Sequence, residues 1–445
     1  MSDGPSLATL REMMSHQDVR RLYAKVLAPN DNSKNQPYFG GDFSVLNILP
    51  AGTAQSSKSK SKDASIFKAR LDFAWLSDDG SVHPAPHAQL ILYPQYPEVR
   101  FSGYLRGCAR APSDLMGSTR EPGRLLLLGV RDDGRIIGYA AGPESLVTRE
   151  FAALRDLQQF GVFVQVPLAE RAGADDDRAV LLSELCRIHS AGWIDSKRLN
   201  ADGTLNVCLA PNCGGYTLEA ELGISPNGYA EPDFRGWEVK QHGVTDFKNA
   251  RGGPITLMTP EPSAGFYVKE GVVAFVEKYG YWDKRGREDR MNFGGTHRAA
   301  SLCAATGLTL TLVGYDSASG KIIDTSAGIS LIDAEGNQAA TWLYTDLMSH
   351  WNRKHALAAY VPSLTRDAPT RQYQYADTVR LGTGTDFLRF LAAVASGGIY
   401  YDPGIKVEHY STKPTTKRRS QFRIKSSDIG LLYHRLETVK VCKRH

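Results

Sequence analysis

Alternation of apolar and polar residues divides the chain into a strand-rich first part and a mixed second part. Ala88–Tyr93 (AQLILY), Val99–Tyr104 (VRFSGY), Arg124–Val130 (RLLLLGV) and Arg135–Ala140 (RIIGYA) are short apolar runs. Turn signals such as Asp132-Asp133-Gly134 separate them, which predicts a modest β-barrel or sandwich. Helices are expected on either side, over Leu7–Val26 and Val147–Phe160. Polar, small Ser56–Asp63 (SSKSKSKD) reads as a surface loop, and 169–178 (AERAGADDDR) as a linker. The expected domains are therefore 1–168 and 179–445.

Beyond the linker the periodicity changes. Ala179–Ser190 carries apolar residues at helical spacing, and Tyr216–Leu222 predicts a short helix stopped by Gly223. Gly236–Lys240, Leu308–Tyr315 and Lys354–Val361 read as strands, and Thr385–Ala395 as a helix. Ile405–Tyr410 and Gln421–Ile424 read as the two strands of a hairpin. The fold class expected is multidomain: a β-rich N-terminal domain, then an α/β domain around a central mixed sheet.

A length of 445 residues agrees with more than one core. Apolar residues make up 42% and charged residues 23%, ordinary values for a globular protein. A net charge of +5 is compatible with a nucleic-acid partner without requiring one. No run approaches the roughly 18–20 apolar residues of a membrane span, and residues 1–23 lack the apolar stretch of a secretory signal. The six cysteines include no C-x-x-C pair, so they read as thiols in a reducing cytoplasm rather than as disulfides or zinc ligands.

Candidate chemistry lies between Gly214 and Gly243. Glu238 and Lys240 are two apart on a predicted strand, so both side chains leave the same face. Asp233 follows Pro232 at the entry to that strand, and Glu219 sits on the preceding helix. Phosphodiester hydrolysis needs a hard cation, an activated water and a stabilised leaving oxygen. Asp233 and Glu238, with the Val239 carbonyl, offer Mg²⁺ oxygen ligands. Lys240 offers charge for the attacking water, and Glu219 a site for a metal-bound water. Alone, D-x4-E-x-K more often marks a solvated face. Its context is what counts: a Glu-bearing helix, a Gly/Pro/Asn turn, then P-D-F leading into E-x-K.

That context resembles the MvaI/BcnI type of restriction endonuclease, within the PD-(D/E)XK nuclease superfamily. The resemblance rests on Gly214–Glu219, Leu222-Gly223-Ile224, Pro232-Asp233-Phe234, Glu238-Val239-Lys240 and His242. It continues through Thr256-Leu257-Met258-Thr259, Lys278-Tyr279-Gly280 and His297 to Lys406–Tyr410 and Phe422-Arg423-Ile424. It implies a Mg²⁺-dependent, prokaryotic type II endonuclease with Glu219, Asp233, Glu238 and Lys240 as catalytic residues. It further implies a monomer that nicks each strand of duplex DNA in turn, at a C-C-N-G-G pentamer with A or T favoured in the centre. His242 and His297 are weaker inferences, each read more readily as a buried structural histidine, and His297 is also a candidate DNA contact. A MutH-type nicking or mismatch-repair endonuclease, and a DNA-binding regulator with a silenced nuclease fold, are the alternatives.

Lys406, Lys413, Lys417, Arg418, Arg419, Arg423 and Lys425 face a single acid, Glu408, with His409 and Tyr410 interleaved. Lys406, Arg419 and Arg423 are candidates for base readout, since Arg and Lys bond guanine edges. Lys413 and Lys417 are candidates for phosphate contacts, and His409 and Arg418 for further DNA contacts. In the first domain, Lys25–Asp31, Gly40-Gly41 and Leu49–Gly52 resemble the opening of the EcoRII-type N-terminal effector domain. This implies a DNA-binding pseudobarrel that takes a second DNA copy. Arg100, Arg106 and Arg110, with Arg120 and Arg124, are its basic residues.

Overall fold

The computed structural model describes residues 4–29, 36–59, 65–96, 98–118, 120–168, 177–210, 212–225, 232–248, 252–352 and 354–442. The chain divides into two compact units, 1–174 and 175–445. Most of the expected linker, residues 60–63 of the expected loop, Asn30-Asp31 and residues 226–231 lie outside the described residues. Asp177 and Arg178, read as linker, instead open the helix Asp177–Ser190.

The first unit holds two sheets. Seven strands run in the order Gln159–Phe160, Phe163–Val166, Val19–Leu27, Arg124–Arg131, Ile136–Ala141, Phe73–Leu76, Val82–Pro84. Five run Tyr38–Gly40, Glu98–Ser102, Gln89–Tyr93, Ser65–Arg70, Gln55–Lys58. Arg124–Val130 is buried at every position, so both faces of that strand are covered, which explains its unbroken apolar run. Leu7, Leu10, Met14 and Val147, from two helices, pack with Leu125 and Leu127 on one side. A ring cluster of Phe39, Phe73, Trp75, Phe101 and Tyr104 forms a further part of the core.

The expected helix Leu7–Val26 is a helix only over Leu7–His16. Asp18 turns the chain through a positive φ of 56°, and Val19–Leu27 then enters the sheet beside Arg124–Arg131. The second flanking helix spans Leu146–Ala153, and Gln159–Phe160 pairs as a strand. Gln55–Lys58, expected to be loop, pairs with Ser65–Arg70. In each case tertiary pairing outweighs local propensity.

In the second unit a mixed sheet carries the candidate site. Its order is Ile194–Asp195, Gln372–Tyr375, Leu357–Arg366, Thr378–Thr383, Arg435–Lys440. Glu238–Gly243 joins it in parallel on Leu357–Arg366, with Glu238 opposite Ala358 and Lys240 opposite Tyr360. Helix Asp177–Ser190 buries Leu181, Leu185 and Ile188 in a core with Leu218, Val239, Val361 and Tyr375. Cys186 is bonded to Cys442 and Cys208 to Cys213, correcting the all-thiol reading; Cys108 and Cys303 are free. The Cys186–Cys442 partners are 256 residues apart, so only the tertiary fold brings them together.

The predicted 405–424 hairpin is also corrected. Gly404–Glu408 pairs with Thr415–Lys417 and with Arg290–Gly294. Phe422–Ile424 lies in another sheet, between Ile255–Met258 and Ile399–Tyr401. Both of its apolar ends are buried, and that burial selects its partners. No helix among the described residues is long and apolar enough to cross a membrane.

Candidate active site

Helix Cys213–Glu221 brings Glu219 to the sheet. It packs closely against the strand Glu238–Gly243: a Cβ on Gly214 would lie 2.9 Å from the Gln241 side chain. A larger residue there would have to displace the end of the Gln241 side chain. Gly223, at φ +74°, follows the helix end and frees the chain to turn. Val239 points into the core, so Glu238 and Lys240 leave from the opposite face, as their spacing predicts.

Three carboxylates and two ammonium groups converge there. Glu238 is fully buried, and Lys240 Nζ lies 2.5 Å from its Oε1. Glu238 Oε2 has no hydrogen-bond partner among the described residues. Asp233 Oδ2 accepts the Val239 amide at 3.2 Å, which ties the entry turn to the strand. Lys354, which the sequence reading did not single out, stands 3.6 Å from Glu238 Oε1 and 3.8 Å from Asp233 Oδ1. It sits between the helix Tyr344–Trp351 and the strand Leu357–Arg366, the parallel neighbour of the Glu238 strand. Its only sequence signal was a position at the start of a predicted strand.

These surroundings displace the titrations. Burial, then the Asp233 charge, pushes the Glu219 carboxyl up to about 7. Burial likewise pushes Glu238 up to about 7, against the pull of Lys240. Burial opposes the charge on Lys240, but Glu238, Asp233 and Glu219 outweigh it and raise its pKa. Such opposed pairs in a polar cluster are a common property of reaction sites. The donors are hard oxygens, one of them buried and unpartnered, and this set suits a hard divalent cation.

His242, on the same strand face, is 3% exposed and neither ring nitrogen has a hydrogen-bond partner among the described residues. Burial, then Arg380, lowers it to about 4. His297 is fully buried, with Nε2 2.8 Å from Thr306 Oγ1 and its ring stacked on Phe293. That burial corrects the reading of His297 as a DNA contact: it is a core side chain.

The basic segment is laid out differently. Ile405 and Val407 point inward, which turns Lys406 outward; Lys406 and Lys417 are cross-strand neighbours. Partial burial, then the charge of Arg290, lowers Lys406, and Arg287 and Arg419 act in the same direction. Of these, Arg287, which the sequence reading passed over, is exposed, whereas Arg290 is buried and pairs with Asp283 at 3.5 Å and Glu408 at 3.7 Å. His409, Lys413, Lys417, Arg418 and Arg419 are exposed. Lys417 pairs with Glu408 at 3.1 Å, and Arg418 lies 4.0 Å from Glu261. Arg423 is held by Asp402 at 2.6 Å and donates to the Pro254 carbonyl at 3.0 Å. In the first unit, Arg106 is exposed, Arg110 pairs with Asp79 at 2.9 Å, and Arg100 pairs with Glu98 at 2.8 Å. Arg124 is buried and donates to the Glu121 carbonyl, so it supports a loop rather than presenting charge.

A sequence model of the MvaI/BcnI restriction endonuclease family matches residues 182–433, more than half of the chain. The match spans both the carboxylate cluster and the basic segment.

The chain belongs to the MvaI/BcnI restriction endonuclease family.

This MvaI/BcnI member is therefore an endonuclease acting on DNA, with mixed and antiparallel sheets in a chain of more than one unit. Among solved structures, the MvaI–cognate DNA substrate complex is 17% identical, covering 60% of this chain and 99% of that one, with a TM-score of 0.44. MvaI in the absence of DNA is 16% identical over 60% of this chain and 100% of that one, TM-score 0.33. The UbaLAI B3 domain with cognate DNA is 18% identical over 35% of this chain and 99% of that one, TM-score 0.22. No curated protein matches the chain.

Proposed function

We propose that this protein is a type II restriction endonuclease that hydrolyses phosphodiesters in double-stranded DNA at a C-C-N-G-G-type pentamer, with A or T favoured in the centre. The observation that carries the reading is the buried Glu238–Lys240 pair beside Asp233 and Glu219, inside the region matched by the family. Asp233, Glu238 and the Val239 carbonyl would hold Mg²⁺, which when bound supplies positive charge at the scissile phosphate and lowers the pKa of water. Lys240 orients the attacking water and offsets the charge that develops on the phosphate oxygens. Glu219, titrating near neutrality, exchanges a proton with water at its carboxylate oxygen.

Lys406, Arg419 and Arg423 read base edges, and His409, Lys413, Lys417 and Arg418 hold the backbone beside them. Domain 1–168, a pseudobarrel of the EcoRII effector type, binds a second copy of the site through Arg100, Arg106 and Arg110. The protein works as a monomer in a prokaryotic cytoplasm. Incubating plasmid of known sequence with the full chain and Mg²⁺, then sequencing the ends, tests the reading. Discrete double-strand ends at one pentamer are expected. Persistent open circles would favour a MutH-type nickase, and uncut plasmid would favour a silenced nuclease. Adding an uncleavable duplex of the same site should accelerate cutting; an unchanged rate would remove the effector role.

A further inference from the structure

Lys354 has no assigned part in the reaction, yet it bridges two of the three carboxylates. Its ammonium lies 3.6 Å from Glu238 Oε1 and 3.8 Å from Asp233 Oδ1. These are ion-pair distances, beyond ordinary hydrogen-bond length. Lys240, by contrast, lies 2.5 Å from Glu238 Oε1. One lysine is thus held tightly and the other loosely. Lys354 is also the more open of the two, its side chain 26% exposed against 18%. A lysine ammonium is a compact charge on a flexible stem, so it can withdraw without rearranging the backbone.

Charge balance gives this loose contact a purpose. Glu219, Asp233 and Glu238 face Lys240 and Lys354, so with every group ionised the cluster carries one net negative charge. Without Lys354 it would carry two, around a Glu238 that has no exposed surface. Carboxylates so placed repel one another unless a cation stands between them. A divalent ion entering the same oxygens would meet Lys354 head-on and take over its charge.

We propose that Lys354 is a positioning residue, an internal counter-ion that holds Asp233 and Glu238 in place before the divalent ion binds and gives way to it. The role rests on the reading of those carboxylates as metal ligands. Lys354 thereby sets the metal concentration at which the site fills. It keeps the ligands gathered in the empty protein at the expense of affinity for the ion. Nothing near it in sequence betrays this, because the structure brings it to Glu238 through the parallel pairing of the Glu238 strand with Leu357–Arg366, the strand that Lys354 precedes.

The test is Mn²⁺ binding to the full-length protein without DNA, followed by calorimetry, for the wild type, Lys354→Met, Lys354→Arg, Asp233→Asn and Glu238→Gln. Removing a cation so close to the ligands should tighten Mn²⁺ binding about tenfold in Lys354→Met. Lys354→Arg, which keeps the charge, should stay within about twofold of wild type. In chelator, Lys354→Met should melt earlier than wild type, and Mn²⁺ should raise its melting temperature by more than it raises that of wild type; a merely structural lysine would leave the two Mn²⁺-induced gains equal. If Lys354→Met does not fold, Lys354→Gln takes its place. Binding by Lys354→Met equal to or weaker than wild type overturns the counter-ion role, provided Asp233→Asn and Glu238→Gln lose the ion. If those two variants bind Mn²⁺ like wild type, the metal site itself is wrong and the proposal falls with it.

Discussion

The carboxylate cluster and the basic segment lie in the same unit and are built on opposite principles. In the cluster, charge is buried: Glu238 has no exposed surface, and opposing lysines meet it from two separate elements. In the segment 406–423, charge is mostly exposed, and Lys417 and Arg423 already hold acids of the same unit, Glu408 and Asp402. The first arrangement is fixed by packing before any substrate arrives, which suits chemistry that depends on geometry. The second is a set of exchangeable ion pairs. On the proposed reading a phosphate or a guanine edge would replace the internal acid, and at the open Lys417–Glu408 pair the exchange costs little because exposed pairs contribute little.

The contrast can be broken most forcefully at Lys240. Lys240→Met should slow cleavage on the order of a thousandfold. Gel shifts in Ca²⁺ should show duplex binding within a few-fold of wild type. Equal losses of binding and cleavage would mean the two regions are not separable.

His242 measures how dry the strand Glu238–Gly243 is. Its folded pKa is depressed from 6.5 to about 4. Its contribution to stability is therefore complete above pH 6.5 and lost as pH falls toward 4. That loss should reach about 3 kcal/mol. Glu219 and Glu238, raised to about 7, shift stability the other way over the same range, so the loss is read as the difference in pH slope between wild type and His242→Phe in urea melts of the metal-free protein. Identical slopes for the two proteins would mean the ring is solvated.

On the exposed side, Arg423→Ala should reduce cleavage at the preferred pentamer by about ten- to a hundredfold relative to sites changed at one base pair. Thermal melting should stay close to wild type, since Arg423 is only half-buried and its partner Asp402 keeps access to water. Unchanged rate and site choice would remove Arg423 from base readout. The smallest effect belongs to Lys413. Lys413→Ala should weaken duplex binding a few-fold at every sequence and lower the slope of log K against log salt by about one. A sequence-dependent loss would instead make it a base reader.

Much of this was legible along the chain. Glu238 and Lys240 shared a face because a strand repeats every two residues, and the helix bearing Glu219 ended at a glycine that the structure holds at φ +74°. The apolar run Arg124–Val130 announced a strand, and the structure shows it covered on both faces. Other parts were not legible. Val19–Leu27 has a composition that a helix also tolerates, and its pairing with Arg124–Arg131 decided the outcome. Arg124 looked like a surface charge, and only packing showed it to be internal; for His297 packing decided between a core ring and a DNA contact.

What the sequence determined by itself was local: periodicity, caps, turns, and a motif whose residue types suit one kind of chemistry. The tertiary structure decided everything that joins distant segments. It chose the pairing of Cys186 with Cys442 and the placing of Phe422–Ile424 in a different sheet from Gly404–Glu408. It also brought Lys354 to the carboxylates. The physical reason is the same in each case. Burial and strand pairing are properties of neighbours in space, and a chain read in order shows only its neighbours in sequence.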